Sequence, residues 1–333
     1  MISRREFSAA VAGAAAAGPL LNGMAASAAN STSRPRFGSA AIKQVKAGPL
    51  NVGYAELGPR RGRPCILLHG WPYDIHSYVD VAPRLAAQGY RVLAPYLRGF
   101  GNTSFRSAAT MRNGQQAATA SDLLGFMDAL DIDQAVLGGY DWGGRTATCF
   151  NILWPQRVTA NVLVSGYLIN NLAANQTPLT PEAEHGWWYQ FHFATERGKT
   201  GYTLNLNAFD KLTWALASPM WKFSDATYQR SAQAFNNPDH VAIVVHNYRW
   251  MLGLADGERQ HDHLEQILQA EPPIGRPTIT IGSEFDGDNI DGHAYRKLFI
   301  DPYHHRELRG IGHNVPQEAP QAFTQAIIDA DHL

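Results

Sequence analysis

Cysteine is nearly missing from this 333-residue chain: Cys65 and Cys149 are the only two, and neither stands in a cluster with metal-ligand spacing. A disulfide framework and a zinc site on paired cysteines are thereby excluded. Both read as small buried apolar residues, and one bridge between them is all that an oxidising compartment would permit. The histidine pairs His261 with His263 and His304 with His305 read as surface residues. An excess of charge is missing too, since 28 Lys and Arg meet 29 Asp and Glu, for a formal net charge of −1. With no basic stripe and no interleaving of aromatic and basic residues, a nucleic-acid partner is excluded. The alanine-rich run near the N-terminus is too short and too weakly hydrophobic for a membrane span.

That run has its own reading. Ser3-Arg4-Arg5-Glu6-Phe7 precedes it and Ala26-Ser27-Ala28 closes it with small residues of signal-peptidase type. The pattern predicts a twin-arginine export signal over 1–28, removed near Ala28, and a linker over 29–37. The mature protein is then expected to be periplasmic or secreted, with no stable membrane association.

A serine is absent where one is expected. Gly138-Gly139-Tyr140-Asp141-Trp142-Gly143-Gly144 reads as a nucleophile elbow with aspartate in the serine position. In such an elbow a strand ends, the chain turns sharply and a helix begins, so the residue at the turn stands above the sheet on a strained backbone. Gln134-Ala135-Val136-Leu137 supplies the strand, and Arg145 to Trp154 has helical apolar spacing that stops at Pro155. Gly139 and Gly143 flank Asp141 where a side chain would meet the neighbouring strand or helix. Asp with Gly is common in ordinary turns, so the partners decide. Thr278-Ile279-Thr280-Ile281 leads into Gly282-Ser283-Glu284-Phe285-Asp286, and His305-Arg306-Glu307-Leu308 leads into Gly310-Ile311-Gly312-His313-Asn314. Nucleophile Asp141, acid Asp286 and base His313 thus follow in chain order at strand ends. Asp288, Asp291 and Glu284 are alternatives for the acid; position and the following Gly287 favour Asp286. A fourth piece, the buried strand Cys65-Ile66-Leu67-Leu68, ends in His69-Gly70-Trp71-Pro72.

These segments resemble the α/β-hydrolase superfamily, and the aspartate narrows the resemblance to its epoxide hydrolase and dehalogenase branch, from about Val52 to the C-terminal helix. The resemblance implies a mostly parallel sheet with helices on both faces and an inserted helical cap, working without a cofactor or metal. It also implies that the backbone N–H groups of Trp71 and Trp142 form the oxyanion hole. The alternation of strands and helices fits such a core at 38–165 and 258–333. Between them, 166–257 changes to aromatic-rich helical segments around Trp187-Trp188-Tyr189, Trp214, Trp221 and Val241 to Trp250, and is read as the cap. Arg98-Gly99-Phe100-Gly101 resembles a structural loop of the family, and Asp74 and His76 either shape the pocket or cap the next helix.

An aspartate carboxylate suits displacement at a saturated carbon, giving an ester on the enzyme that His313-activated water then hydrolyses. The leaving group separates the readings. A ring-opened alkoxide needs a proton donor, which a tyrosine hydroxyl supplies; a halide needs only N–H groups such as a tryptophan indole. Trp188-Tyr189-Gln190-Phe191 and His246-Asn247-Tyr248-Arg249 resemble the two segments that carry the epoxide-holding tyrosines in epoxide hydrolases, which makes Tyr189 and Tyr248 the proton donors. His69, Trp142 and Arg145 are assigned to substrate binding, and the substrate is expected to be a small, largely apolar organic molecule that reacts with water. The alternative is a haloacetate or haloalkane dehalogenase. Haloacetate dehalogenases have an arginine matching Arg145, but they usually carry Arg where Trp142 stands and a His-Trp pair where Gln190-Phe191 stands, and haloalkane dehalogenases more often carry Asn or Glu where Trp71 follows His69-Gly70. A third reading is a non-catalytic ligand-binding scaffold.

Overall fold

The computed structural model describes Phe37, residues 41–300 and residues 302–333. The expected signal at 1–28 and the rest of the linker lie outside the described residues. Nine strands form one sheet: β1 (Lys43–Ala47), β2 (Leu50–Leu57), β3 (Arg63–Leu68), β4 (Tyr90–Pro95), β5 (Ser104–Phe105), β6 (Ala135–Gly139), β7 (Val158–Val164), β8 (Thr278–Ser283) and β9 (Tyr303–Leu308). Their order is β1-β2-β4-β3-β6-β7-β8-β9, with β5 on β2. The neighbours from β4 to β9 are parallel, whereas β1, β2 and β5 pair antiparallel at one end.

Every residue of β6 and β8 is buried. Because successive strand residues point to opposite faces, this requires cover on both sides, which explains their β-branched and small-residue runs. Helix Gln116–Ala129 packs on Asp141–Leu153, and Ala82–Ala87 packs on Pro320–Ala330. The pattern missed β1 and β5. Lys43-Gln44-Val45-Lys46 is mostly exposed on an edge and lacks the apolar alternation that marks a half-buried strand.

Between β7 and β8 the chain forms the cap helices Pro181–Gly186, Trp188–Phe193, Glu196–Ala217, Asp225–Ala232 and His240–Met251. Thr195 starts the longest of these by accepting the Gly198 N–H at 2.9 Å. Phe193, Tyr202, Trp214, Tyr228 and Phe235 are buried within the cap, each ring worth about 1.5–3 kcal/mol on burial. Helix Asp262–Gln269 then returns to the core against Gln116–Ala129 and Asp141–Leu153. No helix among the described residues is long and apolar enough to cross a membrane. The ends of β3, β6, β7, β8 and β9 lie side by side beneath the cap, where ligands bind in open parallel sheets.

Candidate active site

At the end of β6, Tyr140 is still extended, but Asp141, the first residue of helix Asp141–Leu153, has φ of +51°. A non-glycine residue is held in this left-handed region only by its surroundings, and here close packing supplies the restraint. A Cβ on Gly143 would lie 1.9 Å from the Leu68 carbonyl oxygen, and one on Gly139 would lie 2.6 Å from the Gly143 carbonyl group. The helix start is therefore pressed against the end of β3, which brings the His69-Gly70-Trp71 loop over the aspartate. The Trp71 N–H donates to Asp141 Oδ1 at 2.7 Å. Burial pushes the Asp141 carboxyl up. The hydrogen bond and charge of His313, with the N–H groups of Trp71 and Trp142, outweigh it and hold the group below the usual carboxylate range. Asp141 is thus ionised, with one oxygen on the Trp71 N–H of the expected oxyanion hole.

His313 follows β9, and its Nε2 lies 3.4 Å from Asp141 Oδ2. The Phe285 ring covers the imidazole at a centroid distance of 4.2 Å. Asp286 reaches the same cavity wall, but its Oδ2 accepts the Ser283 N–H at 2.7 Å, and His313 Nδ1 makes no hydrogen bond. The short helical turn Glu284–Asn289 after β8 aims the carboxylate back at its own N-terminus, so the structure brings acid and base together without joining them. Burial raises the Asp286 carboxyl above its ordinary range, against the Ser283 N–H, the Ser165 hydroxyl nearby and the His313 charge. The alternative acids turn outward: Glu284 accepts the exposed Gly310 N–H, and Asp291 accepts from His293. The side chain of Asp288 lies outside the described part.

Tyr189 and Tyr248 come from helices Trp188–Phe193 and His240–Met251, and their rings meet at 5.4 Å and 71°. Trp71 packs against both, at 5.0 and 5.3 Å. Neither hydroxyl finds an acceptor among the described residues, and both side chains line the cavity that holds Asp141. Burial raises both hydroxyls above the ordinary tyrosine value, and the nearby Asp141 charge adds to this, so both keep their protons at neutral pH.

That cavity measures about 340 Å³ and is also lined by Trp142, Arg145, Met251 and His313. Arg145, one helical turn beyond Asp141, donates to Asn247 Oδ1 at 2.8 Å and has no carboxylate within 4.0 Å among the described residues. Trp142 Nε1 is buried without a hydrogen-bond partner within 3.5 Å among the described residues, although the Tyr248 hydroxyl is near enough for the indole to hold it slightly lower. A second cavity of about 530 Å³ shares Trp187, Tyr189, Phe285, Asp286 and His313 with the first.

His69 requires a correction. It was assigned to substrate binding, but it is fully buried and lines neither cavity. Its Nδ1–H donates to Gly70 O at 2.9 Å and its Nε2 accepts the Leu97 N–H at 3.1 Å, so burial lowers its pKa to about 4 and the neutral ring props the oxyanion loop. Asp74 is a cap, accepting the His76 N–H at 3.0 Å. Arg98 forms a buried fork to Asp122. Cys65 and Cys149 are buried free thiols. Tyr202, which the sequence reading missed, accepts the Trp71 indole N–H at 3.1 Å from the cap. No local motif marks it, because its partners Asp210 and His240 are scattered along the cap.

Residues 63–234 match the model of the family described as the alpha/beta hydrolase fold, and the chain belongs to that family. A protein from Klebsiella pneumoniae, described as a candidate epoxide hydrolase, is 54% identical in its crystal structure, with a TM-score of 0.87 over 90% of this chain and 99% of that one. Epoxide hydrolase 2 of Siraitia grosvenorii is 34% identical over 125 residues, 38% of either chain. A haloalkane dehalogenase of Psychrobacter cryohalolentis is 28% identical over 214 residues, 61% of this chain and 66% of that protein. The chain thus spans less than two thirds of these two curated relatives.

Proposed function

We propose that the protein hydrolyses epoxides to diols through an alkyl ester on Asp141. The observation that carries this reading is the pair of protonated hydroxyls, Tyr189 and Tyr248, facing an ionised Asp141 across one cavity. Asp141 Oδ2 attacks a ring carbon, the C–O bond breaks, and the alkoxide takes a proton from one tyrosine while the other donates a hydrogen bond. Water deprotonated by His313 Nε2 then attacks Cγ of the ester. The negative charge appears on Oδ1, which already has the Trp71 N–H 2.7 Å away. Collapse breaks the Cγ–Oδ2 bond, the leaving alkoxide takes the proton back from His313 to give the diol, and the proton of the new carboxyl group reloads the tyrosine. In this scheme Asp286 turns from Ser283 to the free Nδ1 of His313 when the imidazole becomes charged. The names of the epoxide hydrolase relatives support the reading.

A second reading, dehalogenation of a small halo acid, is favoured by Arg145 without a carboxylate partner and by the free indole N–H of Trp142. Single turnover in oxygen-18 water, with mass analysis of the peptide holding Asp141, separates the two. Label entering with an epoxide and not with a halo acid supports the first reading. Label with the acid alone replaces it by the second, and label with neither leaves a binding scaffold. We also propose that residues 1–28 direct twin-arginine export.

A further inference from the structure

One cap helix holds both halves of the reaction machinery. From Glu196–Ala217, Tyr202 accepts the Trp71 indole N–H, and Trp214 Nε1 donates to Pro72 O at 2.6 Å. At its end the Ala217 carbonyl and the Ser218 hydroxyl accept the backbone N–H of His313, at 3.2 and 2.9 Å. Ser218 is 1% exposed, and its hydroxyl donates to Glu318 Oε1 at 2.6 Å. The Glu318 carboxylate also accepts the N–H of Gly312 at 2.8 Å and of Asn314 at 3.0 Å. Three consecutive backbone N–H groups, at 312, 313 and 314, thus converge on one carboxylate, two directly and the middle one through a cap serine. Successive N–H groups gathered on an anion make a rigid nest. A Cβ on Gly312 would lie 2.6 Å from the Ser218 Cα, so the loop closes against the cap with no spare room.

We propose that Ser218 and Glu318 are positioning residues for His313, and that through Ser218 a seated cap is required for the second chemical step, hydrolysis of the Asp141 ester. This rests on the ester mechanism proposed above. In that mechanism His313 acts as base only after the ester has formed, so a loosened His313 slows hydrolysis and leaves alkylation alone. When hydrolysis limits turnover, lowering its rate lowers kcat and KM together and leaves kcat/KM unchanged. A residue needed only for folding would reduce the amount of active protein and leave KM where it was.

The test is rapid-quench mass spectrometry of the Asp141 peptide with styrene oxide as probe, alongside steady-state kinetics, on the full chain and on Ser218→Ala, Ser218→Thr and Glu318→Gln. The expected result for Ser218→Ala and Glu318→Gln is an unchanged rate of ester formation, ester hydrolysis slowed about tenfold or more, and a parallel fall of kcat and KM. Ser218→Thr keeps the hydroxyl and restores hydrolysis. Unchanged ester hydrolysis in Ser218→Ala overturns the proposal, as does a fall in kcat with KM held constant; should Glu318→Gln fail to fold, the serine pair decides alone. His313→Gln is the control. If it accumulates no ester, the ester mechanism fails, and that outcome is distinct from a failure of the positioning role.

Discussion

Replacing Asp210 by asparagine should stabilise the protein at neutral pH, and the reason is a proton count inside the cap. Asp210 is fully buried, its Oδ2 lies 3.3 Å from the Tyr202 hydroxyl, and its Oδ1 has no partner. The same hydroxyl lies 3.0 Å from His240 Nε2 and accepts the Trp71 indole N–H. Burial lowers His240 to about 4, so at neutral pH the ring is uncharged. Its one N–H is committed to Gly99 O at 2.9 Å, which leaves Nε2 as a lone pair. Tyr202 has a single proton and donates it to His240. The contact with Asp210 then needs a proton on the carboxyl group, and burial indeed raises that group well above its ordinary value of 3.8.

Linkage gives the sign. A carboxyl whose folded pKa is raised contributes its full stability below the unfolded value and loses it as pH rises toward the folded value, because folding must take up a proton. The loss runs at about 1.4 kcal/mol per pH unit, so the ceiling between pH 4 and pH 7 is about 4 kcal/mol. Asparagine keeps a donor for the Tyr202 oxygen and has no proton to take up. The advantage of Asp210→Asn in urea unfolding should be absent at pH 4 and reach about 1–4 kcal/mol at pH 7, with kcat/KM unchanged because the Trp71 contact survives. Equal pH slopes for the two proteins would refute the protonated carboxyl.

Tyr189→Phe combined with Tyr248→Phe should slow ester formation from an epoxide by about 10²- to 10⁴-fold and leave hydrolysis of a preformed ester alone; full activity in rapid quench would end the proton-donor assignment. Arg145→Met should leave a neutral epoxide's KM unchanged, whereas a large rise in KM confined to a halo acid favours the second reading. Gly143→Ala places a carbon against the Leu68 carbonyl and should cost about 1–3 kcal/mol or more, seen as a lower thermal midpoint and loss of the burst. Arg4→Lys with Arg5→Lys should retain the protein in the cytoplasm in fractionation of the producing cells; continued export argues against the twin-arginine signal.

The frame of the candidate site was legible in the sequence because its parts are punctuated. Glycines at which a Cβ would collide with the neighbouring backbone, strands of unbroken burial and a histidine just past a strand end all leave local marks. What was not legible depends on where side chains turn in three dimensions. His69 stands in the motif beside Trp71, yet its ring folds back under the loop, and no spacing reveals that. The Asp286 carboxylate bends to Ser283 because the two residues form a capping box on the helical turn after β8, a local contact that competes with the distant His313. The Ser218, Glu318 and Asp210 contacts join residues far apart in sequence, and each residue taken alone is an ordinary polar one.

The leaving group is decided by which donors can part with a proton. Around Asp141 the cavity offers the Trp142 indole N–H, the Arg145 guanidinium and the two hydroxyls of Tyr189 and Tyr248. Indole and guanidinium groups hydrogen-bond but do not release protons near neutral pH, so they can stabilise a halide or bind a carboxylate and can do nothing further for an alkoxide. A free alkoxide is more basic than a phenolate in the same surroundings, because burial raises both, so transfer from tyrosine to the opened ring runs downhill. The raised value also keeps the donor loaded before the substrate arrives. A halide asks for no proton, so it makes no use of two hydroxyls that face the cavity with their protons on. With an epoxide oxygen between them both are satisfied at once, which is why the pair, more than either residue alone, favours ring opening.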